Sequence, residues 1–416
     1  MSDSAVTTAE NTAERAPDNA PRSTPHVPDR LIHFVLRATL ILALLHAYIG
    51  WRLLPDLPGG AGVFVAGVGV LALSTLLIPW GMLARFVIAR QPLSDYVTWA
   101  GVLAMGYFSS VLVLTALRDI FLLLARVAHW ITANPDPLAL APLLQPTAIG
   151  VPALAALVTL IGFVNARRTP RILDVDVPIR GLPSPLIDFT IVQLSDIHVG
   201  STIKRNYVQA IVDRVNELEA DLIAITGDVV DGSVEHLAPH TEPLGALSSR
   251  HGTFFVTGNH EYYSGAEAWV AEFSRLGLHV LLNEHVELKH DGARLTIAGV
   301  TDYSAHVFNA AWRSDPKAAL AGAPENAPKI LLAHQPRSAH AAAAAGFDLQ
   351  ISGHTHGGQF WPWNHFVPLQ QPYVAGLNRH DSLWVYTSRG TGYWGPPKRF
   401  GAPSEITRIR LVPGRG

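Results

Sequence analysis

Long apolar runs fill the first part of the chain, and shorter apolar runs alternate with polar segments in the rest. Four long runs carry few charges or none, and they lie at Leu31–Trp51, Ala61–Ala84, Tyr96–Leu117 and Leu138–Val164. A helix needs about 20 apolar residues to cross a bilayer. Buried helices of a soluble protein are the alternative, but one soluble core does not use four such runs in succession. We therefore predict four transmembrane helices over residues 31–165.

The pattern changes beyond the fourth run. Phe189–Leu194 and Leu222–Thr226 are typical of buried strands, and apolar residues recur at helical spacing between them. This alternation predicts an α/β domain. The predicted regions are a disordered tail at 1–30, the transmembrane region at 31–165, a linker at 166–187 and the α/β domain at 188–416.

The arginines indicate how the chain is oriented. They occur in the tail, in the second connection and after the fourth run, at Arg15, Arg22, Arg30, Arg85, Arg90, Arg167, Arg168 and Arg171. The first connection has only Arg52, and the third has Arg118 and Arg126. The positive-inside rule then predicts a multi-pass protein of the cell membrane with both termini, and the α/β domain, in the cytoplasm.

The amino-acid composition of the chain limits the kinds of active site and partner that it can have. The chain has no cysteine, which excludes disulfides, thiolate metal sites and cysteine catalysis. A formal net charge of −2 provides no basic surface, so nucleic acid is not an expected partner, whereas membrane lipids are. Several ionisable residues lie in or beside the apolar runs, among them His46, Arg118 and Asp119. They indicate either a transport path or local pairing and placement near the ends of the spans.

Polar residues follow five of the predicted strands of the α/β domain. They are Asp196 and His198, Asp228 and Asp231, Asn259 and His260, His334, and finally His354 and His356. Ligands of α/β sheets bind beyond the carboxyl ends of strands. Any one of these loops is compatible with an ordinary turn. Five such loops in one domain predict that their polar residues form a ligand-binding site.

The donor types indicate which ions the site prefers. The candidate ligand set offers only oxygen and imidazole nitrogen, which suits Mn²⁺, Fe or Zn²⁺ better than Ca²⁺ or Mg²⁺. Its seven members are Asp196, His198, Asp228, Asn259, His334, His354 and His356. Seven donors are too many for one tetrahedral ion, but they suit two ions that share a carboxylate. Two adjacent ions can activate water and clamp a phosphoryl group. The sequence therefore predicts two divalent metal ions as cofactors.

The ordered motifs Asp-x-His, Gly-Asp-x-x-Asp, Gly-Asn-His-Glu, His and Gly-His-x-His resemble those of the calcineurin-like metallophosphoesterase superfamily. The resemblance covers the chain from about residue 188 to the end. With its apolar runs and these motifs together, the chain is similar to the branch of transmembrane proteins with a metallophosphoesterase domain. The chain also resembles bacterial membrane-associated relatives, some of which act on UDP-2,3-diacylglucosamine.

The resemblance implies a four-layer αββα sandwich and a role for each site residue. Asp196, His198 and His356 would hold the first ion, Asp228 would bridge, and Asn259, His334 and His354 would hold the second ion. His260 would be catalytic, protonating the leaving oxygen or orienting the phosphate. Asp231 and Glu261 would orient histidines. Trp361 and Trp363 follow the last motif, where they would form either a wall of the site or ordinary core.

These observations leave three functional hypotheses. The first is a membrane-anchored phosphoesterase that acts on a phosphomonoester, phosphodiester or pyrophosphate bond, including that of a lipid-linked substrate. The second is a tethered phosphodiesterase for a soluble nucleotide or a phosphoprotein. The third is a receptor or transporter in which the phosphoesterase domain is secondary; Arg118 and Asp119 are the only residues that point to it.

Overall fold

The computed structural model describes residues 29–88, 90–131 and 140–414. Apart from its last two residues, the expected disordered tail lies outside the described residues. The described chain begins with four helices: α1 Asp29–Leu53, α2 Gly60–Val87, α3 Leu93–Ile131 and α4 Ala141–Arg167. Helix α3 packs against each of the other three. Ile49, Ile78, Phe108 and Val151, one from each helix, share one apolar core.

Three of these helices, within the described residues, are long and apolar enough to cross a membrane. These candidate spans are Val35–Asp56, Gly60–Arg85 and Ala141–Arg167. The third of the four predicted spans, Tyr96–Leu117, lies within α3, which is 39 residues long. Its middle turns are buried against the neighbouring helices and the α/β domain. Hydropathy did not distinguish this protein-facing surface from a lipid-facing one.

The charged residues at the far end of the helices are paired. Arg118 lies 2.5 Å from Asp56, and Arg52 lies 2.8 Å from Asp119. The hydroxyl of Tyr48 also donates to Asp119. These contacts join α1, α3 and the segment between α1 and α2, so they hold the bundle together. Arg118 and Asp119, the residues that suggested a transport path, are therefore explained by ion pairs within the bundle.

Two mixed six-stranded sheets form the rest of the chain, which confirms the predicted α/β domain. The first sheet has the order β1-β12-β2-β3-β4-β5, and the second has β10-β11-β9-β8-β7-β6. The strands are β1 Arg171–Ile179, β2 Thr190–Leu194, β3 Leu222–Ile225, β4 Thr253–Phe255, β5 His279–Val280, β6 Glu284–His290, β7 Ala293–Gly299, β8 Lys329–Leu332, β9 Leu349–Ser352, β10 Gly376–His380, β11 Leu383–Thr387 and β12 Glu405–Pro413. The helices are α5 Arg205–Asn216, α6 Val234–Thr241, α7 Asn259–Ser264, α8 Ala266–Arg275, α9 Pro316–Ala319 and α10 Ala339–Ala345.

Both faces of the central strands are buried. Ile191 and Leu222 belong to a core that also contains Ile330 and Ile351 of the second sheet, so this core lies between the sheets. Val192 alternates with Ile191 and packs in a second core with residues of α5 and α8. A third core joins the other face of the second sheet to α9 and α10. Burial on both faces explains why the strands are continuous apolar runs in the sequence.

The segment 166–187, expected as a linker, contributes a strand to the first sheet. Strand β1 pairs in parallel with β12 from Arg171 to Ile179. Cross-strand ion pairs join Asp174 to Arg408 and Asp176 to Arg410. Since β1 begins four residues after α4 ends, the α/β domain lies directly against the helical region.

Candidate metal centre

The five polar loops meet where parallel strands of the two sheets end. Strands β2, β3 and β4 are neighbours in the first sheet, and β8 and β9 are neighbours in the second. The loop after each strand carries one or two of the predicted site residues. They are Asp196 and His198, Asp228 and Asp231, Asn259 and His260, His334, and His354 and His356. The topology therefore brings together side chains that are up to 160 residues apart in the sequence.

Five of these residues have a strained backbone. The φ angles of Asp196, His198, Asp228, His354 and His356 are 54°, 57°, 53°, 72° and 52°. Residues other than glycine rarely adopt this left-handed region. Strain of this kind persists where the surrounding structure enforces it, and it clusters at functional sites.

Two glycines allow the loops to close around the carboxylates. A Cβ atom on Gly258 would lie 2.2 Å from Oδ1 of Asp228, and one on Gly353 would lie 2.2 Å from Oδ2 of Asp196. No other residue fits at these positions. The Gly-Asn-His and Gly-His-x-His motifs thus begin with glycine because a carboxylate occupies the place of its side chain.

The first donor cluster contains Asp196, His198 and His356. Nε2 of His356 lies 3.1 Å from Nε2 of His198 and 3.3 Å from Oδ1 of Asp196. One donor atom from each residue lies within 4.8 Å of the others. All three side chains are almost completely buried. Three buried donors that face one another fit a bound cation.

The second cluster contains Asp228, His334 and His354. Nδ1 of His334 donates to the carbonyl of Thr226, and Nε2 of the same ring lies 3.1 Å from Oδ2 of Asp228. Nδ1 of His354 lies 3.2 Å from that same Nε2. A hydrogen bond at the other ring nitrogen is the usual way in which proteins orient a histidine ligand.

Asn259 supplies an independent test of whether a cation fits here. Its Oδ1 is buried and has no hydrogen-bond partner among the described residues. A buried amide oxygen without a partner is rare in native structures and indicates an unseen ion or water. Since amide oxygen is a suitable ligand for first-row divalent ions, the residues present fit the predicted metals.

His260 lies beside the clusters and is held by Asp231. Its Nδ1 is 2.5 Å from Oδ1 of Asp231, and its Nε2 is 3.9 Å from Oδ2 of Asp228. Burial acts to lower the pKa of His260, but the two carboxylates outweigh it and raise this pKa to about 9. A histidine that retains its proton near neutral pH can act as a general acid.

Glu261 differs from its expected role of orienting a histidine. Its carboxylate accepts hydrogen bonds from the main-chain amides of Asp228, Val229 and Gly258. It therefore joins the loops after β3 and β4 through their backbones. Burial is the main cause that raises the pKa of Glu261, to about 7.

At Asp228, His354 and His356 the electrostatics favour the forms that bind metal. At His334 burial acts to lower the pKa, but Asp228 outweighs it and raises this pKa well above its usual range. Burial acts to raise the pKa of Asp228, but His334 outweighs it and holds this pKa well below its usual range. Burial, followed by His334, lowers the pKa of His354 to about 4. Burial and the guanidinium of Arg399 lower the pKa of His356. Neutral imidazole and ionised carboxylate are the forms that ligate metal ions.

Four residues near the site were not given a role from the sequence. The ring centres of Trp394 and Tyr263 lie 5.7 and 5.4 Å from that of His260. Gln359, which follows Gly357-Gly358, exchanges hydrogen bonds with the backbone of Trp394 and so fixes the position of its indole. Nη1 of Arg399 donates to the carbonyl of His356. The sequence signal for them was weak, because they follow no predicted strand.

The expected aromatic wall is formed differently. Nε1 of Trp363 donates to the hydroxyl of Ser109 on α3, and Trp361 packs beside Gly401. Trp394 and Tyr263 line the clefts next to the metal clusters instead. Helix α2 also reaches these clefts, where Arg85 lies close to Asp231.

The comparisons with known proteins agree with this site. The sequence profile of the calcineurin-like phosphoesterase family matches residues 189–358. A Bos taurus protein named transmembrane protein with metallophosphoesterase domain is 41% identical over 275 residues, 62% of this chain and 62% of its own length. An uncharacterized metallophosphoesterase of Aquifex aeolicus is 32% identical over 232 residues, 55% of this chain and 87% of its own. Among solved structures, a Danio rerio dimetal phosphatase has 14% identity and a TM-score of 0.34, over 49% of this chain and 88% of its own.

The chain belongs to the calcineurin-like metallophosphoesterase family. Its metallophosphoesterase domain carries His and Asp clusters that could hold metal ions. The relatives include a protein named for its transmembrane region, which agrees with the three candidate spans found here. The chain matches about three fifths of that relative's length.

Proposed function

We propose that this protein is a membrane-anchored phosphoesterase that uses two divalent metal ions. The observation that carries the proposal is the pair of buried donor clusters, with Asp228 of the second cluster 3.9 Å from Nε2 of His198 in the first, and with the unpartnered Oδ1 of Asn259 on the loop after β4. Asp196, His198 and His356 would hold one ion, and Asn259, His334 and His354 the other, with Asp228 between them. When bound, such a pair supplies positive charge opposite the phosphoryl oxygens and activates the attacking water.

The protein's own residues provide the remaining functions. Asp231 holds His260 with Nε2 directed toward the metal clusters. His260 donates its proton to the leaving oxygen or, if the leaving group needs none, holds the phosphate by a hydrogen bond. Trp394 and Tyr263 flank His260 and exclude water from one side of the reacting group.

The phosphate acted on lies at the membrane surface in this proposal, and a lipid-linked substrate such as UDP-2,3-diacylglucosamine is the favoured class. A cleft of about 1050 Å³ supports it. The cleft lies between the end of α2 and the catalytic domain, and both Asp231 and the apolar residues Val87 and Ile88 line it. A polar head at the metals and an apolar tail toward the helices would fit this arrangement.

The orientation in the membrane is part of the proposal. Helix α3 packs along α2 and α4, so we infer that it passes through the same layer and that the helices make four passes. The arginines at the catalytic end, including Arg85 and Arg167, support a cytoplasmic catalytic domain under the positive-inside rule.

A soluble nucleotide or a phosphoprotein is the alternative substrate. One comparison of rates distinguishes a lipid-linked substrate from a soluble one. The full-length protein, loaded with Mn²⁺ in detergent, is given an acylated nucleotide-sugar diphosphate and its deacylated analogue. We expect kcat/KM to be at least tenfold higher for the acylated compound. Equal values would favour the soluble substrate. Failure to hydrolyse these compounds, 4-nitrophenyl phosphate and bis(4-nitrophenyl) phosphate would contradict the proposed activity itself.

A further inference from the structure

Arg85 lies in the last turn of α2, at the end of a candidate membrane span, and reaches the catalytic domain. Its Nη1 donates to the main-chain carbonyl of Asp231 at 2.9 Å. The same atom lies 3.8 Å from the carboxylate oxygen Oδ1 of Asp231. A helix of the membrane region is therefore in direct contact with a residue of the catalytic centre.

Asp231 supports two imidazoles at once. Its carboxylate lies 2.5 Å from Nδ1 of His260 and 3.3 Å from Nδ1 of His198. Both rings turn Nε2 toward Asp228, at 3.9 Å in each case. A carboxylate behind an imidazole fixes both the ring orientation and the tautomer. Any group that holds Asp231 in place therefore also holds His260, and it fixes the position of the carboxylate that lies beside His198.

The position of Arg85 is itself fixed by close packing. A Cβ atom on Gly81 would lie 2.5 Å from Cα of Gly101, so the backbones of α2 and α3 touch one turn before Arg85. Near the start of α3, Asp95 forms an ion pair of 3.1 Å with Lys204 of the catalytic domain. The guanidinium is thus presented to Asp231 from a backbone that is anchored on both sides.

We propose that Arg85 is a positioning residue of the catalytic centre, which acts through Asp231 on His260 and His198. The helical region then contributes to catalysis and is more than an anchor. This inference rests on the proposed phosphoesterase function, and it adds a residue that the family motifs do not contain.

A double-mutant cycle on the full-length protein tests it. Arg85→Ala should lower kcat about 10–100-fold, as loss of a residue that supports a metal ligand does, with KM changed less than about threefold. Asp231→Asn should lower kcat by at least as much. The double variant should be no worse than Asp231→Asn alone, because independent effects multiply whereas effects through one residue do not. Arg85→Lys should retain most of the activity.

The same cycle on the Kd for Mn²⁺, measured by competition with a chelator, needs no substrate. Arg85→Ala should weaken Mn²⁺ binding, with no further weakening when Asp231→Asn is added. This measurement separates a failure of the inference from a failure of the proposed function, which would show only as absent turnover.

Ser109→Ala is the matched control, because it removes a different contact between helix and domain, the one to Trp363. Its kcat and Kd should equal those of the wild type. If Arg85→Ala does not fold, as judged by thermal unfolding, Arg85→Gln takes its place in the cycle. Unchanged kcat and Kd in the Arg85 variant, or losses that multiply in the double variant, would overturn the proposal.

Discussion

Two buried polar regions of the molecule differ in how well their polar atoms are satisfied. One is the metal centre. The other is the insertion loop, Trp394–Arg399, which enters the helical region between α3 and α4. There, Nζ of Lys398 donates to the carbonyl of Gly106 and to the hydroxyls of Ser110 and Thr159. Lys398 is only 2% exposed, yet each contact it makes is complementary.

The metal centre shows the opposite. Imidazole nitrogens of His198 and His356 face each other at 3.1 Å, and Oδ1 of Asn259 has no partner among the described residues. Five residues of this centre have left-handed backbones. A protein does not gather unsatisfied donors on a strained backbone for stability alone. The comparison teaches that the satisfied contacts of Lys398 are structural, whereas facing donor atoms on strained backbones, together with an unpartnered oxygen, are typical of a binding site.

The largest expected effect is that of Asp228→Asn in the metal centre. Asp228 is the carboxylate between the two clusters, so replacing it removes the ligand that both ions would share. We expect turnover to fall below detection and at least one ion per chain to be lost, as counted by mass spectrometry. Normal turnover with two ions bound would contradict this assignment.

His260→Gln should give the next largest effect. Because His260 is placed beside the donors and not among them, both ions should remain while kcat falls by about 10²–10⁴-fold, the usual contribution of a general acid. Metal content and kcat are measured on the same preparation. If metal is lost while the rate per bound metal stays normal, His260 is a ligand.

Lys398→Ala should affect stability and leave the chemistry intact. It removes buried contacts of the insertion loop and leaves the Gly106 carbonyl without its donor, which together cost roughly 2–4 kcal/mol. The apparent melting temperature in detergent should fall, with kcat per folded molecule within about threefold of the wild type. Lys398→Met, which keeps most of the volume, should lose less. A large fall in kcat at unchanged stability would place Lys398 in the catalytic machinery.

Ser109→Ala should give the smallest effect. It removes one hydrogen bond, from Nε1 of Trp363, and this side chain is 38% exposed, so water can replace the lost acceptor. The expected cost is about 1 kcal/mol or less. A loss of stability as large as that of Lys398→Ala would show that the two contacts are not independent.

The sequence was most informative where local chemistry determines structure. Asp196, Asp228 and His334 each follow a buried strand, so their common location follows from the rule that strand ends meet. The family resemblance rests on the same loops, and the comparisons confirm it. Their assignment to particular ions stays a prediction.

The sequence was least informative where structure depends on packing between distant segments. The apolar residues of α3 have the same hydropathy whether they face lipid or the insertion loop, so the sequence could not show that part of this predicted span, which is not among the three candidate spans, packs against the catalytic domain. In the sequence, Arg85 was used only as an indication of membrane orientation. Its contact with Asp231, 146 residues away, cannot be inferred from the residues around either position. The pairing of β1 with β12 could not be predicted, because β12 lies at the other end of the chain.

The central claim is that the two donor clusters bind two ions that act together on a phosphoester. The most direct test is to titrate the chelator-treated full-length protein with Mn²⁺ while measuring bound metal and hydrolysis of bis(4-nitrophenyl) phosphate. The account predicts two ions bound per chain, with most of the activity appearing as the second site fills. Full activity with a single ion per chain, or two bound ions without activity on any phosphoester, would contradict it.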